Sequence, residues 1–275
     1  MLTGAVRGAA RRPAVAGTFY AGTARRLPEQ VKAFLPAGVP RQRVVGAVAP
    51  HAGFLYSGRV AGEGYARIEP PATLVILGPN HTGLGAGAAI VCEGTWTTPL
   101  GEVRIDRDLA RAIVDVSDTL EEDALAHRDE HSIEVQLPFL QMLMPEAAFV
   151  PICLMGQGPA LCRDVGRAVA EGVRRTGRSA VIVASTDMSH YVPRAVAERK
   201  DRLAIAAIEA LDADGLLAVV RREGISMCGS VPTAAAMVAA RALGATRGDL
   251  VRYATSGEVS GDDRQVVGYA GILLV

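Results

Sequence analysis

Three short apolar runs in this chain each break at glycine, proline or serine and deliver a histidine a few residues later. Residues 44–53 read VVGAVAPHAG, residues 74–83 read LVILGPNHTG and residues 181–190 read VIVASTDMSH. Unalternated β-branched and aliphatic residues suit a strand buried on both faces, as in a parallel sheet covered by helices. In open α/β sheets the ligand site lies beyond the carboxyl ends of the strands, where strand ends and helix N-termini converge. The three runs therefore predict one shared site that holds His51, His81 and His190.

The remainder of the chain alternates in the βαβ manner. A turn carrying Phe19 and Tyr20 precedes a short helix with apolar spacing at Leu27, Val31 and Phe34. After the first strand a helix bearing Val60, Tyr65 and Ile68 is expected, with Ser57 as its N-cap. Strand-like AAIVCEGTW and GEVRI lead to a helix whose acidic start, Asp106 and Asp108, complements the helix dipole. FVPICLM, an Arg- and Ala-rich helix over 161–176, SAVIVAS, helices over 196–211, 216–221 and up to Ala240, and two closing strands complete the pattern. The prediction is one α/β domain over residues 1–275 with a mostly parallel central sheet, residues 1–12 forming a frayed tail.

Composition excludes several classes of function. Lys+Arg and Asp+Glu both number 29, and no basic stripe interleaved with aromatics occurs, so nucleic acid is not an expected partner. The apolar runs break well short of the roughly 20 residues that a bilayer span needs. The first residues lack the apolar core and cleavage site of a secretory signal. Cys92, Cys153, Cys162 and Cys228 show no CxxC pairing, which points to neither a disulfide framework nor a zinc ribbon and suits a reducing cytoplasm.

Cys228 differs from the other three, which read as small buried hydrophobes. It sits in a Gly- and Ser-flanked loop just before a helix, a setting that favours a thiolate. Two imidazoles and a thiolate form a competent three-ligand set for iron(II), copper or zinc. The same residues also allow a Cys-His-Asp hydrolase, with Cys228 attacking, His190 as base and Asp187 orienting it. Spacing does not choose between these. His127 and His131, four apart in AHRDEHS, are expected to share a helical face. His131 reads as support to the ligands, His127 as a surface residue, and Glu130 as a hydrogen-bond acceptor for a ligating imidazole. HExxH is absent, because Arg128 stands where the glutamate would have to be.

The motifs APHAGFLYSG, ILGPNH, DEHSIEVQLPF, STDMSH and MCGS, in that order and across nearly the whole chain, resemble those of the Memo family. That family is similar in fold to the class III extradiol ring-cleaving dioxygenases, non-haem iron enzymes with two His and one Glu as ligands. The resemblance implies a three-layer α/β fold with one metal or ligand pocket. It implies His51, His81 and Cys228 as ligands, Cys228 taking the place of the dioxygenase glutamate, and His190 as the acid/base histidine with Asp187 fixing its tautomer. Phe19, Phe54 and Asn80 become candidate substrate contacts. A thiolate is softer than a carboxylate, which favours copper beside iron and makes ring cleavage doubtful. The resemblance also implies two further possibilities: a phosphotyrosine-peptide pocket, as in animal members, and association with radical-SAM and AMMECR1-like proteins around a redox step on an unknown substrate.

Overall fold

The computed structural model describes residues 10–275 except Gln157, so most of the expected tail, residues 1–9, lies outside the described residues. In chain order the elements are α1 (Arg26–Lys32), β1 (Gly46–Ala49), α2 (Phe54–Tyr65), β2 (Thr73–Pro79), β3 (Ala88–Ile90), β4 (Thr95–Thr98), β5 (Gly101–Arg104), α3 (Arg107–Val114) and β6 (Glu121–Glu122). Next come α4 (Leu137–Leu143), β7 (Ala148–Leu154), α5 (Pro159–Thr176), β8 (Ala180–Ser185), β9 (His190–Val192) and α6 (Arg194–Glu209). The chain closes with α7 (Ala213–Glu223), α8 (Ser230–Ala242), β10 (Gly248–Thr255), α9 (Gly257–Ser260) and β11 (Val266–Leu274).

The main sheet has the order β10-β11-β1-β8-β2-β7-β3-β6, with β9 paired to β11. Its centre, β1, β8, β2 and β7, is parallel. Antiparallel pairing enters at β11 on one side and β3 on the other. Every residue of β1, β2 and β7 is buried, as unalternated apolar strands require. The strand period shows what covers the sheet. A side chain at Gly271 of β11 would press on Val60 of α2, whereas the next residue, Ile272, lies against Gly248 beside Ile208 of α6. Successive strand residues face opposite ways, so α2 and α6 lie on opposite faces. With α1 and α4 beside α2, and α5, α7 and α8 packed with α6 on the other side, the fold is a three-layer α/β arrangement. Gly166 lets α5 approach α8 closely, because a Cβ there would meet the Ala235 carbonyl at 2.6 Å. Among the described residues no helix is long and apolar enough to cross a membrane.

Several local expectations differ from the structure. Gly53, not Ser57, precedes α2, and the Ser57 hydroxyl donates to the Ala52 carbonyl from within the helix. Asp106 does cap α3, accepting from the Leu109 N–H. His127 and His131 do not share a helix. Leu125–His127 is a single 3-10 turn, and the backbone redirects before the next one, Glu134–Gln136. His127 is buried, not on the surface, and packs edge-on to Trp96. Within the expected tail, Arg11 is held in place. Arg11 donates its backbone N–H to Thr95, lies 4.1 Å over the Trp96 ring and pairs with Glu134 at 2.8 Å.

Burial, with the Arg11 charge nearby, holds the His127 imidazole down at about 4 from the usual 6.5. Between those values the unfolded chain binds the proton and the folded chain does not, so this contribution to stability is present above pH 6.5 and lost as pH falls toward 4. His51 and His131 are depressed by burial in the same sense and share the effect. The variant His127→Phe should therefore show a smaller fall in Tm than wild type across this pH range. Parallel Tm curves for the two proteins would contradict the assignment.

Candidate metal centre

The strand order itself gathers the site. β8 lies between β1 and β2, with Val48, Ala184 and Leu77 in one row across the three strands. His51, Asp187 and His81 follow that row by three or four residues, so all three emerge at the same sheet edge. Cys228 arrives there from the loop between α7 and α8. Gly229 makes this possible, since a Cβ at that position would strike the Ser185 carbonyl at 2.6 Å and Thr186 at 2.5 Å. Its N–H is anchored on the Thr186 hydroxyl at 2.9 Å.

One ligand atom from each of His51, His81 and Cys228 lies within 4.8 Å of the others. The His51 Nε2 to Cys228 Sγ distance is 3.2 Å. Hydrogen bonding fixes which imidazole nitrogen is bare. The Gln136 amide must point Nε2 at the Pro50 carbonyl, an acceptor only, and it also donates to Ser185 Oγ at 2.8 Å. Ser185 in turn donates its hydroxyl proton to the Ser132 carbonyl at 2.6 Å. With its only proton committed, Ser185 Oγ accepts from His51 Nδ1–H at 2.9 Å. His51 is thereby left with a lone pair on Nε2, aimed at the sulfur. Burial and then the neighbouring His131 and His81 rings keep it neutral.

His81 is set the same way by a different partner. Its Nδ1–H donates to Glu130 Oε1 at 2.9 Å, and its backbone N–H goes to Oε2 of the same carboxylate. The Oε1 atom also accepts from the N–H groups of His131 and Ser132. Burial alone would raise this carboxyl, but hydrogen bonding and charge from His81, with the Ser132 N–H, outweigh it and hold it at about 2. His81, Glu130 and His131 also lie close enough to hold an ion. Glu130 has three acceptor contacts on Oε1 already, so it acts as the orienting partner of His81. The His131 ring stacks 4.6 Å from His81 and meets His51 edge-on at 5.4 Å, beside the three candidate donors.

The donor chemistry fits a metal ion: two imidazoles whose Nδ1–H groups are each tied to a fixed acceptor, one thiol, and second partners that lock ring orientation. Burial, reinforced by Asp187, pushes the Cys228 thiol up to about 12, so in the metal-free protein the helix end does not create a thiolate. Metal uptake must therefore displace a proton from sulfur.

His190 and Asp187 do not form the pair expected from their spacing. Asp187 Oδ1 accepts from the backbone N–H groups of His51 at 2.8 Å and Ala52 at 3.3 Å, which holds the His51 loop. His190 opens the short strand β9, and its Nδ1–H donates to the Ser226 carbonyl at 2.9 Å. A Cys228-His190-Asp187 relay is thus not formed, since the sulfur meets His51 and neither other partner is aligned. Tyr191, next to His190, holds φ at 56° and is 73% exposed, an uncommon conformation for an aromatic residue.

The substrate-side candidates separate. Phe19 is half-buried, 4.8 Å from the His131 ring. Phe54 is a core residue packed on Phe139 at 4.9 Å and on Tyr20, so it does not line the site. The Asn80 side chain is consumed in its own turn: Oδ1 accepts from Thr82 and Gly83, and Nδ2 donates to the Leu84 carbonyl. Sequence reasoning missed Ser185, Gln136 and Glu134. Buried Glu134 accepts from Arg11, the N–H groups of Ala14 and Val15, and the Tyr20 hydroxyl, and so fixes the segment that carries Phe19. A buried acid inside the apolar run SIEVQLPF was the available signal.

Fold and site together define the class: an α/β protein with a candidate three-donor metal centre at the ends of its parallel strands. The chain belongs to the Memo-like protein family, whose family model matches residues 11–273. A MEMO1 family protein of Methanopyrus kandleri is 46% identical over 96% of this chain and 98% of its own length. One from Methanothermobacter thermautotrophicus is 47% identical over 94% and 98%, and one from Thermotoga neapolitana 42% over 96% and 99%. The crystal structure of an uncharacterized protein from Escherichia coli K12 aligns with a TM-score of 0.49 at 14% identity, over 77% of this chain and 89% of that one.

Proposed function

We propose that the protein is a non-haem, metal-dependent redox enzyme, with His51, His81 and Cys228 as ligands and His190 as the proton-handling residue. The supporting observation is that two imidazoles, held through Nδ1 by Ser185 and Glu130, lie with a ring nitrogen within 4.8 Å of Cys228 Sγ. Bound iron(II) or copper would supply Lewis acidity and electron transfer, and zinc would supply the first alone. The chain's own contributions are distinct. Ser185 and Glu130 keep both ligand imidazoles in the ligating tautomer. Asp187 holds the His51 loop by its backbone. His190, its Nδ1–H tied to the Ser226 carbonyl, presents Nε2 for proton transfer with a substrate.

Oxygen uptake by protein loaded anaerobically with iron(II), and separately with copper(I), tests the reading against a panel of catechols and thiols. Wild type should consume oxygen with at least one reductant, and His190→Ala should keep its metal while losing uptake. Retained metal with no uptake under any condition would instead support a binding protein that uses the same pocket for a small molecule or phosphopeptide. If His190→Ala lost metal as well, the site would have a fourth ligand and His190 a different role.

A further inference from the structure

A cavity of 470 Å³ opens from the candidate metal centre, with His81 and Cys228 in its wall. Beyond these two residues its lining is mixed, with Met155, Leu217, Val220 and Val231 forming an apolar side and Asn80 and Ser230 among the polar contributors, and it includes no carboxylate among the described residues. One cation is present, Arg221. Leu217, Val220 and Arg221 fall at i, i+3 and i+4 along α7, so one stripe of the helix presents two apolar side chains and then a guanidinium.

The contrast with its neighbours makes Arg221 informative. Arg222, one residue on, pairs with Glu223 at 2.8 Å, and Arg163 reaches Asp214 at the start of α7 at 3.1 Å. Lys200 caps the carbonyl of Gly224. Arg221 makes no ion pair or side-chain hydrogen bond with any described residue, although acidic groups are close enough in sequence to serve its neighbours. An exposed guanidinium without an ion pair, set one helical turn from the apolar side of a mixed cavity, matches a ligand with an apolar body and one anionic end. A single arginine, with no second Lys or Arg in the lining among the described residues, suits the one charge and two oxygens of a carboxylate better than a phosphate dianion.

We infer that the substrate is a small amphipathic monocarboxylate whose apolar part runs along Leu217, Val220, Val231 and Met155 and whose carboxylate pairs with Arg221. This rests on the proposed metal-centre reading for what happens at the other side of the cavity, but it concerns recognition alone.

Calorimetric titration of metal-loaded protein with 4-phenylbutyrate and with its neutral amide tests it. Charge-assisted hydrogen bonds contribute about 1.5–3 kcal/mol, so the carboxylate should bind roughly 10- to 100-fold more tightly than the amide. In Arg221→Gln that preference should vanish with amide binding unchanged, Arg221→Lys should keep part of it, and Arg222→Gln should match wild type. Equal binding of the two probes, a preference surviving in Arg221→Gln, or no binding of either overturns the inference. Tighter binding of phenyl phosphate than of the carboxylate does so too, in favour of a phosphate ligand. Repeating the titration on Cys228→Ala with its metal content measured separates the two readings. A carboxylate preference that persists in a variant that keeps its metal leaves recognition standing while the metal reading falls, and loss of metal in the variant together with no preference in wild type does the reverse.

Discussion

Replacing Cys228 with alanine should lower metal affinity by more than ~100-fold, beyond the roughly 10- to 100-fold that loss of a supporting residue typically costs. The sulfur is one of three donors, 3.2 Å from His51 Nε2, and among the described residues no fourth His, Cys, Asp or Glu joins the group that contains it. Folding should be little affected, since what the thiol gives up is sulfur contacts with His51 Nε2 at 3.2 Å and the Asp187 N–H at 3.3 Å, and packing in the α7–α8 loop. Ser185→Ala should fall in the lower range, because it frees the His51 ring to rotate or change tautomer without removing a ligand. Competition with a chromophoric chelator measures both. Equal affinities for wild type and Cys228→Ala would mean that the sulfur is not a ligand.

The largest loss of stability is expected far from any reacting atom, at Glu134. This carboxylate is fully buried, receives four hydrogen bonds and pairs with an Arg11 whose side chain is only 10% exposed. Glu134→Ala leaves a buried guanidinium and two backbone N–H groups without their acceptor. Breaking one side of such a pair costs about 3–5 kcal/mol, which for a chain of this size lowers Tm by on the order of 10 °C. Removing both charges in Arg11→Met/Glu134→Met should recover only part of that, since the Ala14 and Val15 N–H groups stay unpaired. A melt shifted by less than ~2 °C, the lower bound for about 1 kcal/mol, would show that the network carries little of the fold. Loss of the Phe19 position should accompany the true effect, because Glu134 anchors the segment on both sides of that ring.

The central strands were readable from sequence because burial on both faces leaves no room for polar residues in them. The histidines followed, since a histidine just past such a strand can only lie at the sheet's carboxyl edge. Convergence of His51, His81 and Asp187 on one another depended on β8 inserting between β1 and β2, a matter of strand order that local pattern does not contain. Roles inside the motifs were harder to assign than positions. Asn80 looks like a ligand contact but closes its own turn, and Phe54 looks like a pocket wall but fills the core beside Phe139. Asp187, three residues from His190, spends its hydrogen bonds on a loop 135 or 136 residues away in the chain. Spacing reports local neighbours, and these partners are all long-range. The spacing of His127 and His131 misled for the opposite reason, because an i, i+4 pair shares a face only where the helix continues between them.

The account stands or falls on sulfur. Protein loaded with one equivalent of zinc and measured by X-ray absorption fine structure should show one sulfur at about 2.3 Å and two imidazole nitrogens at about 2.0–2.1 Å, with any remaining position filled by a light atom. Loss of the sulfur shell in Cys228→Ala would complete the assignment. A wild-type spectrum with nitrogen and oxygen neighbours alone would place the ion at His81, Glu130 and His131 instead, and contradict the centre described above.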